Sequence, residues 1–194
     1  MDTKISRPRG RPRRFDLEQA VAAAQGLFAA KGYDAVSVSD ITQALGINPP
    51  SFYAAFGSKG ALYDRVLERY SGKDALPLGQ FLRPDRPVEE SLAATLEAAA
   101  RFYANTPDAG GCLVVEGTRC TDQEAREAAL AYNLASEDVI RKYIAERHPD
   151  EADRLTDFVA TTMFGLSAKA RNGHDLSQLL ATARLAAAAL RTVF

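Results

Sequence analysis

The amino-acid sequence predicts an all-α fold in two helical units, and three observations carry that prediction. Apolar residues recur at three- and four-residue spacing along most of the chain, while the alternation that suits a half-buried strand is nearly absent. Helix punctuation brackets those stripes, with Asp, Ser or Asn before them and Gly after. The segment 71–87 interrupts the pattern with Gly72, Pro77, Gly79, Pro84 and Pro87 and reads as a connector.

The elements follow in order. Asp16 caps a first helix, with Gln19 as its capping-box partner, a buried face of Leu17, Val21, Ala24, Leu27 and Phe28, and Gly32 at its end. Ser37 opens a short second helix bearing Val38, Ile41 and Leu45, which Gly46 stops. Asn48 and Pro49 begin a third, since proline lacks the N–H that would go unpaired at the first helical position. Phe52 and Phe56 lie one turn apart on it. Gly57 ends it, and Ser58 caps a fourth helix with Leu62, Val66 and Tyr70 in one stripe.

Beyond the connector, one helix is predicted over about 88–105, ending before Pro107. A short helix follows Gly110 and Gly111, and a long one covers about 122–147 up to His148-Pro149. Leu155, Val159, Met163 and Leu166 mark the next stripe; Leu176, Leu179, Leu180, Ala183, Ala187 and Leu190 mark the last. These two helices carry more apolar surface than one core needs, in particular Phe164, Ala168, Leu185, Ala186, Ala189 and Val193. Either a second copy shares that surface in a two-fold four-helix interface, or the alanines are simply good helix formers.

A chain of 194 residues buries an ordinary core without cross-links, and 46% hydrophobic with 25% charged residues excludes wholesale disorder and fibrous repeats. No apolar run approaches the ~18 residues of a bilayer span, so no membrane association is expected. The arginine-rich start has no apolar stretch of secretory type behind it, which makes the cytoplasm the expected compartment. Cys112 and Cys120 make no disulfide framework. On one regular helix they would stand ~12 Å apart along the axis, too far for a bond or a shared ion. They read as inert thiols or, alternatively, as a thiol or soft-metal sensor. His148 and His174 show no zinc-site spacing, and no metal or cofactor is expected.

Charge is unevenly distributed. Residues 1–14 hold Lys4, Arg7, Arg9, Arg11, Arg13 and Arg14 against Asp2, a net +5, whereas residues 71–194 sum to −4. The basic arm is a candidate phosphate-facing surface or, alternatively, a solvated tail. Behind it, the second and third helices joined by Gly46-Ile47-Asn48 have helix-turn-helix spacing. A short protruding helix enters a major groove ~12 Å wide, and a neighbouring arm reaches the minor groove. Such spacing also occurs in plain bundles. An enzyme is a poor fit, with no Gly-rich phosphate loop, nucleophile elbow or metal-binding helix motif; a nonspecific architectural DNA binder is a further alternative.

Over residues 15–70 the sequence resembles the N-terminal domain of the TetR family of one-component bacterial repressors. The matching residues are Leu27-Phe28, Gly32-Tyr33, Ser39-Asp40-Ile41, Ala44-Leu45-Gly46-Ile47, Ser51-Phe52-Tyr53, Phe56, Ser58-Lys59 and Leu62. The segment from Gly110 to Thr118 resembles one branch of that family.

The resemblance implies a basic arm (1–14), a three-helix DNA-binding domain with a helix-turn-helix (15–70) and a helical ligand-binding and dimerisation domain (71–194). It also implies a homodimer on a pseudo-palindromic operator, released by a small-molecule effector. Ser37 and Ser39 would present hydroxyl and amide groups to phosphate, with Tyr53 and Lys59 as family-matching phosphate contacts; Tyr53 is alternatively a packing ring. Pro49, Pro50, Ala54 and Ala55 are expected at the exposed positions of the third helix with no side-chain hydrogen bond to offer, and there only Ser51 and Tyr53 supply one, so sequence reading falls to thymine methyl contacts, to Arg13 and Arg14 in the minor groove, and to DNA shape. Phe102, Tyr103, Cys112, Leu113, Tyr132, Tyr143, Met163 and Phe164 are candidate pocket residues, each also explicable as ordinary core.

Overall fold

The computed structural model describes residues 16–106 and 110–193. Among them the elements are α1 (Leu17–Lys31), α2 (Val38–Leu45), α3 (Pro49–Phe56), α4 (Lys59–Arg69), α5 (Val88–Ala104), α6 (Leu113–Gly117), α7 (Gln123–Ala145), α8 (Ala152–Arg171) and α9 (Leu176–Leu190). No strand occurs among the described residues.

Local chemistry accounts for most of these boundaries. Asp16, Ser37, Asn48, Ser58 and Asp122 each accept a first-turn backbone N–H. The capping box falls at Ser37–Asp40 and Asp175–Gln178; Asp16 accepts from Gln19 without the reciprocal bond. Leu17 is 46% exposed, so the buried face of α1 begins at Ala20 and Val21.

The predicted connector starts later than Ser71. A π-helical turn, Tyr70–Asp74, extends α4, and the Ala75 N–H closes it onto the Tyr70 carbonyl at 2.7 Å. Tertiary contacts hold the turn: Asp74 accepts from Gln25 of α1 at 2.9 Å and pairs with Arg69.

Two cores result. The first joins Phe28, Ile41, Phe52, Leu62 and Tyr63 to Leu113, Val114, Ala125 and Ala129, so α6 and the start of α7 complete the interior of the N-terminal helices. The second is built by Leu92, Leu96, Ile140, Ile144, Val159, Leu166 and Leu179. Each fully buried Leu or Phe contributes ~1.5–3 kcal/mol of transfer free energy. Phe102 and Cys112 pack against both cores.

Glycines permit the tightest approaches. A Cβ on Gly111 (φ +78°) would stand 2.8 Å from the Ser167 carbonyl oxygen of α8, and one on Gly117 would stand 2.2 Å from the Tyr63 hydroxyl. The chain at 110–112 therefore lies flat on α8, where the Cys112 N–H donates to Ser167 Oγ at 2.9 Å.

Candidate nucleic-acid interface and the cavity behind it

The α2–α3 unit is assembled by short-range contacts. Gly46 turns the chain at φ +63°, the Ile47 N–H donates to the Thr42 carbonyl at 3.0 Å, and Asn48 Oδ1 accepts from the Ser51 N–H at 2.9 Å. Phe52 and Phe56 are buried, which turns Pro49, Pro50, Ser51, Tyr53 and Ala54 outward. Tyr53 is 53% exposed, its ring set edge-on to Phe52 at 5.2 Å; it is not a buried packing ring. Ala55, expected at an exposed position, is instead half-buried, because the turn of α3 that carries Phe52 and Phe56 also brings it against the core.

Two of the predicted phosphate contacts are engaged internally. The Ser37 N–H and hydroxyl both donate to Asp40 Oδ2, while Ser37 Oγ accepts from the Asp40 N–H at 3.1 Å. Asp40, held below its ordinary value first by the Ser37 hydroxyl, thus sets a carboxylate at the start of α2 where an anion would otherwise sit. Ser39 remains exposed, its hydroxyl without a partner among the described residues. The Lys59 ammonium donates to the carbonyls of Tyr33 and Val36, each at 3.0 Å, and lies 3.8 Å above the Tyr33 ring. Burial, more than the nearby acids, pushes the Tyr33 phenol up to about 12. Lys59 therefore clamps the α1–α2 loop with two of its three donors. Arg13 and Arg14 lie outside the described residues.

Behind this unit is a cavity of about 390 Å3. It gathers Phe102 and Tyr103 from α5, Cys112 at the cap of α6, Tyr132 from α7, and Met163 and Phe164 from α8, with Tyr70 of the π turn beside them. Leu113 and Tyr143 lie elsewhere. Leu113 turns into the first core, and the Tyr143 hydroxyl donates to the Arg83 carbonyl at 2.8 Å beneath the Arg147 guanidinium. Leu113 sits one residue beyond Cys112 on a helix of five residues, so the two side chains diverge. The Tyr70 hydroxyl donates to Cys112 Sγ at 3.5 Å. Burial drives the phenols of Tyr70 and Tyr103 far above their ordinary values, so both are neutral donors at physiological pH. Cys120 is buried, raised by desolvation, and lies beyond the end of α6 rather than on one helix with Cys112.

The outer face of α8 and α9 presents Phe158 and Leu185, the latter 75% exposed, with Ala189 and Val193 also exposed. Ala168, Ala186 and Phe164 are half-buried, and Phe164 lines the cavity.

Sequence reasoning missed the polar ties between the N-terminal helices and the rest. Arg171 of α8 donates to the Ala29 carbonyl of α1 at 2.9 Å and pairs with Glu116 of α6 at 3.4 Å. Asp34 accepts from the Thr121 N–H at 2.7 Å, and that bond, first among its causes, holds the carboxyl below its ordinary value. Lys73 pairs with Glu18 at 3.1 Å. Only proximity in space relates these residues; no local sequence signal marks them.

Comparison with known proteins bears directly on this arrangement. Residues 20–66 match the family model described as bacterial regulatory proteins, tetR family. The chain is 54% identical over 190 residues to the HTH-type transcriptional repressor BdcR of Escherichia coli (strain K12), spanning 98% of this chain and 96% of that protein. It is 29% identical to the HTH-type transcriptional repressor ComR of the same strain, over 91% of this chain and 89% of that protein. Among solved structures, a cysteine mutant of the TetR family transcriptional regulator CifR complexed with 26bp double-strand operator DNA superposes with a TM-score of 0.83. Its identity is 31%, over 92% of this chain and 99% of that one.

Proposed function

Because the chain belongs to the tetR family of bacterial regulatory proteins, we propose that it acts as a homodimeric repressor that leaves a pseudo-palindromic DNA operator when a small molecule fills the cavity. It is a DNA-binding transcriptional regulator, not an enzyme. No described helix is long and apolar enough to cross a membrane, in keeping with action on DNA in the cytoplasm.

One observation carries the reading: α3 buries Phe52 and Phe56 and turns Pro49, Pro50, Ser51, Tyr53 and Ala54 to solvent. A short helix with one unpartnered face fits a major groove, where the proline and alanine carbons meet thymine methyl groups and Ser51 offers a hydroxyl. Tyr53 and Ser39 contact phosphate, and Arg13 and Arg14 reach the minor groove. Lys59 supports this surface from behind by fixing the loop that leads into α2.

Residues 15–70 form the reading head and 71–194 the sensing and pairing part, with α6 packed into the core of the reading head. Two copies pair through Phe158, Leu185, Ala189 and Val193, where Gly165 leaves open space for an approaching helix. A ligand in the cavity touches Tyr70, the residue that continues α4. Ligand affinity must differ between the two separations of the reading heads for release to follow.

The test joins sedimentation to footprinting. Dimers and a discrete footprint of two half-sites about one helical turn apart are expected. Single chains at high concentration with an oligonucleotide present overturn the reading. A uniform ladder on any duplex replaces it with an architectural binder.

A further inference from the structure

We propose that the cavity selects an uncharged, mainly apolar molecule carrying a carbonyl-type oxygen, and that the Tyr103 hydroxyl reads that oxygen. The inference rests on the effector reading of this cavity and adds the chemical class.

Size and lining set the first limits. At water's ~30 Å3 per molecule, about 390 Å3 holds roughly a dozen non-hydrogen atoms. Leu76, Leu78, Phe102 and Met163 give the walls an apolar character, and among the described residues neither Lys nor Arg lines them. An anion would lose its hydration there without a counter-charge. The sole carboxylate among the described lining residues, Glu137, already accepts from Asn133 Nδ2 at 2.7 Å, which reduces what it offers a cation.

Polarity sets the rest. Tyr103 is 3% exposed and lines the cavity, yet its hydroxyl has no hydrogen-bond partner among the described residues. Its edge-on contact with Phe102, centroids 5.7 Å apart, fixes the ring. Tyr70, its neighbour in the lining, spends its proton on the weak acceptor Cys112 Sγ. A neutral phenol with an unused proton in an apolar chamber favours a ligand acceptor, and a ligand lacking one leaves that donor unpaired.

The test titrates the full chain calorimetrically with four probes of similar shape: benzylacetone, butylbenzene, hydrocinnamate and phenylbutylammonium. Benzylacetone is expected to bind at least about tenfold more tightly than each of the others. Tyr103→Phe is expected to abolish its advantage over butylbenzene while leaving butylbenzene unchanged. Met163→Trp, which fills the chamber, is expected to abolish binding of both and serves if the first variant fails to fold. An ionic probe that matches the ketone, an advantage that survives Tyr103→Phe, ketone binding that survives Met163→Trp, or no binding by any probe overturns the proposal. Operator affinity is measured alongside. Ketone binding without operator release defeats the effector reading alone; release by an ionic probe that displaces butylbenzene defeats the present inference alone.

Discussion

The outward face of α3 and the cavity behind α4 are made in opposite ways. Most of what shapes the first lies within residues 37–59, an N-cap, a glycine turn, a second N-cap and two phenylalanines, although the core that buries those rings is drawn from farther along the chain. The second is enclosed by side chains from α5, α6, α7 and α8 and by the π turn, residues up to about 90 positions apart in the chain. A surface built from local contacts is specified by local propensity. A chamber built from distant ones depends on how whole helices pack, and small shifts in packing alter it.

The largest expected effect tests the seam between the two. Gly117→Ala drives a methyl group toward the fully buried Tyr63 hydroxyl and Ala129 Cβ, so α6 must retreat from α4. Overpacking of this kind costs about 2 kcal/mol, a fall in Tm of about 4–8 °C for a chain this size. Thermal unfolding with an unchanged Tm would show the seam to be loose and the contrast overdrawn.

Next comes Lys59→Met. Loss of two charge-assisted bonds to the Tyr33 and Val36 carbonyls is expected to cost about 1–3 kcal/mol, while the salt dependence of operator binding changes by well under one ion. An unchanged Tm with a slope lower by about one would return Lys59 to direct phosphate contact.

Arg171→Gln addresses communication between the regions. Removing the guanidinium from the Ala29 carbonyl and Glu116 is expected to leave ligand affinity in the cavity intact and to weaken ligand-driven operator release several-fold. The checking measurement is operator anisotropy at saturating ligand; full release would mean that coupling runs elsewhere.

The smallest effect is acidic. Asp34 and Asp40 have lowered values, so their contribution to stability is fully present above the ordinary carboxylate value of 3.8 and is lost as pH falls through the lowered ones. Tm of Asp34→Asn should therefore fall less steeply than that of the parent below about pH 4; parallel curves would remove Asp34 from the seam.

The sequence by itself determined the order of the helices and most of their ends, because caps, glycine stops and apolar spacing act over a few residues; the π turn after α4, held from α1, was not among them. It determined the outward residues of α3 for the same reason, since burying Phe52 and Phe56 fixes which positions remain outside. It offered Ser37 and Lys59 to phosphate without their internal partners: the Ser37–Asp40 box is a local pattern that was legible, but the pairing of Lys59 with carbonyls 23 and 26 residues earlier was not. It gathered six cavity residues by size and polarity, and could not tell that Leu113 turns away or that Tyr143 serves the Arg83 carbonyl. Only tertiary structure decided the enclosure of the cavity, the idle Tyr103 hydroxyl and the Arg171 and Asp34 ties. Each depends on the distance between helices far apart in the chain, and no local preference encodes that distance.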